Sequence, residues 1–292
     1  MRARRIVSVG LLALASGPAT AAADLLSDAL GPRELATGEA RRGDVSGAQA
    51  ISLNPAGLPL TRDLSFEGSY GYRSTDAATL IAASACDSTN AAPGCFYYRY
   101  AGGDTADDRH QRTHVAGLTL ARQINARAMV GIGAKYLNAK GAALDGSEDV
   151  KGFNWDLGAV VRLTDQLNLA VVGSNLWGTE NLAIARTVAT GATFRPSPQL
   201  VAAFDARWNL DTDGDTGRYG GGLEYFVTTA GGQNGYPLRA GAVYDVADGT
   251  YVTGGLGMAT VKFGLDVGLR KQVKGGDDLQ ISASLRVFGP RT

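Results

Sequence analysis

The chain has 292 residues, and its 28 Lys and Arg are balanced by 28 Asp and Glu. A chain with no net charge is a poor match for a polyanion, so nucleic acid is excluded as an expected partner. Its 40 glycines are roughly twice the usual ~7% share, and many interrupt runs that read as strands, where they would weaken a soluble sheet.

The N-terminus carries Arg2, Arg4 and Arg5, then an apolar stretch from Ile6 to Ala15. Small residues follow, with Ala19-Thr20-Ala21 and Ala21-Ala22-Ala23 both suited to signal peptidase. The apolar stretch is too short to span a bilayer, so residues 1–23 read as a cleavable export signal. The mature chain would start at Ala22 or Asp24. No later stretch reaches the ~18 apolar residues that a membrane helix needs. Lipid satisfies no backbone hydrogen bond, so only a closed barrel could span.

Residues 24–61 show no strand period. Asp24 to Leu30 reads as a short helix, and small polar residues follow to Gly47. In Asn54-Pro55-Ala56-Gly57-Leu58, Asn-Pro starts a turn, Pro55 fixes φ and Gly57 allows a positive φ.

From residue 62 the pattern changes. Runs of roughly ten residues alternate apolar and polar, as in Val261-Lys262-Phe263-Gly264-Leu265-Asp266-Val267-Gly268-Leu269-Arg270. A strand sets alternate residues on opposite faces, which gives this run one oily and one charged side. After an export signal the oily side is expected to face lipid. The runs fall at 62–73, 112–122, 126–138, 151–163, 166–175, 185–195, 198–210, 217–228, 236–246, 249–258, 261–271 and 278–288. Short turns alternate with longer links for much of the chain, which is the pattern of periplasmic turns and outer loops. The expected fold is therefore all-β: an antiparallel transmembrane β-barrel of the outer membrane over residues 62–292. It has twelve strands, or fourteen if the link 74–111 holds two more, around 77–84 and 95–101.

The period sorts the side chains. Trp155, Leu157, Phe204, Trp208, Tyr219 and Leu223 fall on the lipid face, and Trp155, Trp208, Tyr136 and Tyr244 suit an interfacial girdle. The inward face would carry Glu67, Arg73, Lys135, Asp156, Arg162, Asp205, Arg207, Arg218, Glu224, Arg239, Asp245, Lys262, Asp266 and Arg270. Mixed signs read as a lumenal network that pairs charges across strands, or as a filter for a charged solute. Cys86 and Cys95 would pair in an oxidising compartment and stabilise a short loop by roughly 2–3 kcal/mol.

Gly38-Glu39-Ala40, Asp44, Ala48, Ala50 and the Asn54-Pro55-Ala56-Gly57-Leu58 motif resemble the segment that precedes the first strand in the FadL-like outer-membrane transport superfamily. The later run Gly222-Leu223-Glu224-Tyr225, with Leu238-Arg239-Ala240-Gly241 and Gly254-Gly255-Leu256-Gly257, is similar to its PorV/PorQ-like branch. The resemblance implies that residues 24–61 fold into the lumen as a hatch containing Asn54, Pro55 and Ala56. It implies either passage of small hydrophobic or amphipathic ligands, or a scaffold for a secretion-machinery protein. No cofactor is implied.

Other chemistry is weakly signalled. Asp211-Thr212-Asp213-Gly214-Asp215 alternates carboxylates as calcium loops do, but the Gly sits early and Gly222 stands where a bidentate Glu belongs; a polar outer turn is the simpler reading. His110 and His114 with Asp107 or Asp108 make a metal set of unsupported spacing. No nucleophile elbow, Walker loop or dinucleotide fingerprint is present, so an enzyme is not expected.

Overall fold

A computed structural model describes residues 31–104, 110–141, 149–178, 184–229 and 234–290. The expected signal, the expected helix at 24–30, and Asp107 and Asp108 lie outside the described residues. Fourteen antiparallel strands close on themselves: β1 Leu64–Arg73, β2 Ala78–Asp87, β3 Gly94–Asp104, β4 His110–Gln123, β5 Ala128–Lys140, β6 Val150–Arg162, β7 Leu167–Gly178, β8 Thr187–Ser197, β9 Leu200–Asn209, β10 Arg218–Thr228, β11 Gly235–Asp245, β12 Gly249–Ala259, β13 Phe263–Lys274 and β14 Leu279–Phe288. Every strand pairs with its neighbours in sequence, and β14 returns to β1 from Ser65↔Phe288 to Arg73↔Gln280. Closure leaves no edge with unpaired backbone groups.

The long link 74–111 holds two strands, β2 and β3, and this makes the count fourteen rather than twelve. They form a tight hairpin in which Cys86 and Cys95 are direct cross-strand partners and are disulfide-bonded.

Alternate positions of each strand point outward, and large apolar side chains stay exposed there: Phe66, Tyr70, Phe153, Phe204, Leu223 and Leu256 are all more than half exposed. On a water-soluble molecule such a belt would be a severe liability. Around a closed barrel it is the lipid-facing surface. No helix among the described residues is long and apolar enough to cross a membrane.

Ahead of β1 come helix α1 (Pro32–Ala36), helix α2 (Ala48–Ser52) and a 3-10 turn (Pro55–Leu60). Almost all of residues 32–58 is buried. α1 packs on β11 to β14, and the 3-10 turn on β4 to β6. The segment contacts the inward faces of these strands, so it lies within the barrel.

Candidate functional site

The motif at 54–58 is built around one side chain. Asn54 is fully buried and caps the 3-10 turn: its Oδ1 accepts from Ala56 N at 3.0 Å. Its Nδ2 donates to Arg42 O at 3.0 Å and to Ala159 O of β6 at 3.2 Å. Asn54 thereby joins the turn, the upstream segment and the barrel wall. The wall makes room for it with glycine. A Cβ at Gly158 would land on Asn54 Oδ1, and one at Gly131 would land on the Pro55–Ala56 peptide. Gly57 departs from expectation. Its φ is not among the positive ones, and what it supplies is space, since a Cβ there would strike Val45. Leu58 packs with Val45, Ala50, Leu53, Ala121 and the disulfide, and Ala56 with Met129, Val160 and Ala170.

Charge does the rest of the anchoring. Glu39 accepts from Arg218 Nε at 2.8 Å and Nη2 at 2.6 Å, and from Arg270 Nη1 at 2.7 Å. Arg42 pairs with Asp205 at 2.9 Å, Arg41 with Glu224 at 2.8 Å, and Arg33 with Glu67 at 2.7 Å. Asp44 takes Arg195 at 2.5 Å, and Arg41 at 3.0 Å. Thr253 Oγ1 accepts from Gly38 N and donates to Ala36 O. The wall charges also pair among themselves: Arg239 bridges Glu224 at 2.6 Å and Asp266 at 2.7 Å, Lys135 meets Asp156 at 2.8 Å, and Arg218 meets Asp245 at 2.8 Å. Buried charges are tolerable only when matched in this way.

Most of the inward charges read from the sequence are therefore brought together. Arg73 is also inward but serves the β1–β2 turn through Asp76 at 2.6 Å. Arg207 lies opposite Arg218 in the register of β9 and β10. Arg162 ends β6 half-exposed and joins none of these pairs, and Lys262 is exposed in the β12–β13 turn rather than lumenal. In both cases the strand reaches the rim of the barrel before the side chain reaches the lumen. The period missed the other half of the network, Arg33, Glu39, Arg41 and Arg42. The signal available was the density of charge in a stretch that is otherwise small and not strand-like.

A small cavity lies between the segment and β1 to β3. Gly31, Glu34, Ile51, Ser52, Ser84 and Tyr97 are among the residues around its volume of about 30 Å³, room for a water or two. Arg99, on its wall, donates to Ser52 Oγ. Glu34 is 3% exposed, and among the described residues no other side chain bonds to its carboxylate. Burial pushes the Glu34 carboxyl above its ordinary value, against the pull of Arg33.

Among the described residues, members of the weaker chemical readings have ordinary partners. Asp211 accepts from Arg186 N at 2.6 Å and Nε at 2.7 Å. His110 meets Asp104 at 2.9 Å, and His114 meets the Tyr98 hydroxyl at 2.7 Å. No cluster of three metal-ligating side chains occurs among the described residues.

No family model matches the chain, and no curated protein matches it. Solved structures do. The CymD monoaromatic hydrocarbon channel superposes with a TM-score of 0.67 at 16% identity, over 90% of this chain and 97% of that one. The Ralstonia pickettii toluene transporter TbuX gives 0.66 at 14%, over 90% and 98%. A Pseudomonas aeruginosa FadL homologue gives 0.62 at 11%, over 89% and 98%. At such identities the likeness is one of fold alone: the closed fourteen-stranded barrel of this chain matches the architecture of FadL-type outer-membrane barrels.

Proposed function

We propose that the protein passes small hydrophobic or amphipathic molecules across the outer membrane, with residues 24–61 as a lumenal hatch. The observation that carries this reading is the position of the N-terminal segment. It fills the lumen against β4 to β14, is held there by side chains rather than by sheet pairing, and borders a small cavity along β1 to β3. A segment held in this way can shift without unravelling the barrel. The barrels of like fold named as toluene and monoaromatic hydrocarbon channels support an apolar cargo. The mechanism is binding inside the barrel followed by a hatch shift about Asn54–Gly57.

The test is uptake of a labelled monoaromatic hydrocarbon by cells carrying the native chain or one with Asn54-Pro55 replaced by Ala-Ala. Altered uptake at equal barrel content is expected; unchanged uptake removes the hatch from the mechanism. Mass analysis of the mildly extracted native protein separates the scaffold reading of the PorV/PorQ-like branch. A bound small amphiphile supports transport, and a stoichiometric protein partner without one supports the scaffold.

A further inference from the structure

The outward face carries an uneven distribution of charge. At the end of the barrel opposite the chain termini, the outward positions of β4, β5 and β6 hold Arg112, Lys140 and Lys151. Arg112 and Lys140 are direct cross-strand partners, and Lys151 sits opposite Asn138, one outward position below Lys140. Like charges placed directly opposite on an exposed sheet face repel. Among the described residues the local relief is slight: Lys140 reaches Asp149 only at 3.8 Å, with both side chains well exposed, a geometry worth little. The nearby Asp104 is engaged by His110.

Elsewhere at this end the outward face is different. It presents Tyr72, Trp177, Tyr219 and Tyr244, and Lys271 is bonded to Asp277. The basic group also has a defined height. Tyr136 and Phe153 are cross-strand partners with ring centroids 5.1 Å apart, and the Tyr100 ring lies tilted against His114 at 5.1 Å. Aromatic rows of this kind mark the membrane interface. Arg112, Lys140 and Lys151 lie two to four residues nearer the loops, about 7–14 Å along the strands, at the level of lipid headgroups.

We infer that Arg112, Lys140 and Lys151 form a docking site for a phosphate-bearing lipid headgroup of the outer leaflet. The guanidinium of Arg112 offers a forked donor pair for phosphate oxygens, and the two ammonium groups supply point charges beside it. A bound dianion turns the repulsive Arg112–Lys140 pair into a bridged one. The acyl chains of the lipid lie against Tyr136, Phe153 and the apolar belt beneath, so one molecule satisfies both halves of the surface. The basic site thus orients the β4–β6 wall within the leaflet, independently of anything in the lumen.

The experiment is native mass spectrometry of the full chain in mild detergent, titrated with diphosphoryl lipid A. Three proteins are compared: the native chain, the triple variant Arg112→Gln, Lys140→Gln, Lys151→Gln, and a control variant, Arg122→Gln with Lys271→Gln. Heat-modifiable gel mobility establishes that each is folded. A basic residue near an anionic headgroup is worth about fivefold in affinity, so the triple variant is expected to bind at least tenfold more weakly, with the control unchanged. Inorganic phosphate at millimolar concentration is expected not to displace the lipid. Equal retention by the triple variant, equal loss in the control, or equal binding of a lipid without phosphate overturns the proposal. Displacement by inorganic phosphate also overturns it, because the site would then read a free anion.

Discussion

Arg218 of β10 grips Glu39 through two parallel bonds, and Arg270 of β13 reaches the same carboxylate from the other side. Glu39 has a φ of 59°, and Arg41 close by has 115°, conformations that side-chain-bearing residues seldom adopt. The carboxylate is the pin that holds this turn of backbone against the wall. Replacing Glu39 with Ala leaves Arg218 with Asp245 and Arg270 with Asp278, so each guanidinium keeps one carboxylate and loses the other. The cost falls below the about 3–5 kcal/mol of a buried charge left wholly uncompensated. Urea unfolding in micelles should show a lower midpoint for Glu39→Ala, and protease should cut within residues 31–60 while the heat-modifiable barrel persists. A native midpoint and native protease resistance would show that the pin is dispensable.

Gly158→Val tests the wall's side of the motif. The new side chain meets Asn54 Oδ1 and the Pro55 ring, so the turn must lift away and the bonds from Asn54 to Ala56 and Ala159 must lengthen or break. Leaving such buried groups unpaired costs about 1–3 kcal/mol. Solute permeation through proteoliposomes should rise as the hatch loosens. Gly68→Val, at an outward glycine where an added Cβ meets nothing within 4 Å, is the matched control and should leave permeation unchanged.

The barrel was legible because a strand advertises its two faces every second residue, and the run 261–270 shows this in full. The hairpin β2–β3 was harder to read, since Ala82, Ala83, Ser84 and Ala85 are small on both faces and blur the alternation. The motif was legible as a turn, whereas the role of Gly57 was not: whether a glycine answers a need for φ or for space depends on a neighbour, here Val45. The anchoring network was least legible. Glu39 meets Arg218 and Arg270 across 179 and 231 residues, and no local pattern encodes a contact of that range.

Glu34 makes stability depend on pH. Burial raises its folded-state pKa above that of the unfolded chain, so folding favours the protonated acid. The sign follows: the contribution of Glu34 is neutral below the ordinary carboxylate range, about pH 4.3, and turns unfavourable as pH rises through that range toward the raised value. Glu34→Gln keeps the shape and removes the charge. Its unfolding midpoint should exceed that of the native chain at about pH 8 and converge with it near about pH 4. A variant less stable than the native chain at the higher pH would mean that Arg33 and Arg99 outweigh desolvation there.

The disulfide ties the wall to the segment as well as closing a hairpin. Both cysteines are 1% exposed and pack with Val45, Ala50, Leu53, Leu58 and Ala121. Cys95 Sγ lies 3.7 Å from Gly47 O. Two consequences separate this arrangement from a loop staple at the surface. The double variant Cys86→Ser, Cys95→Ser should lose more than the roughly 2–3 kcal/mol of a short cross-link, because two hydroxyls enter an apolar cluster. Cys86→Ala with Cys95→Ala should lose less than the serine pair. Burial should also shield the bond, so that a thiol reductant leaves it oxidised in the folded barrel and cleaves it only as urea opens the structure. Mass shift after thiol alkylation, followed through the unfolding transition, measures this directly. Rapid alkylation under native conditions would place the sulfurs in contact with solvent and remove their part in holding the segment.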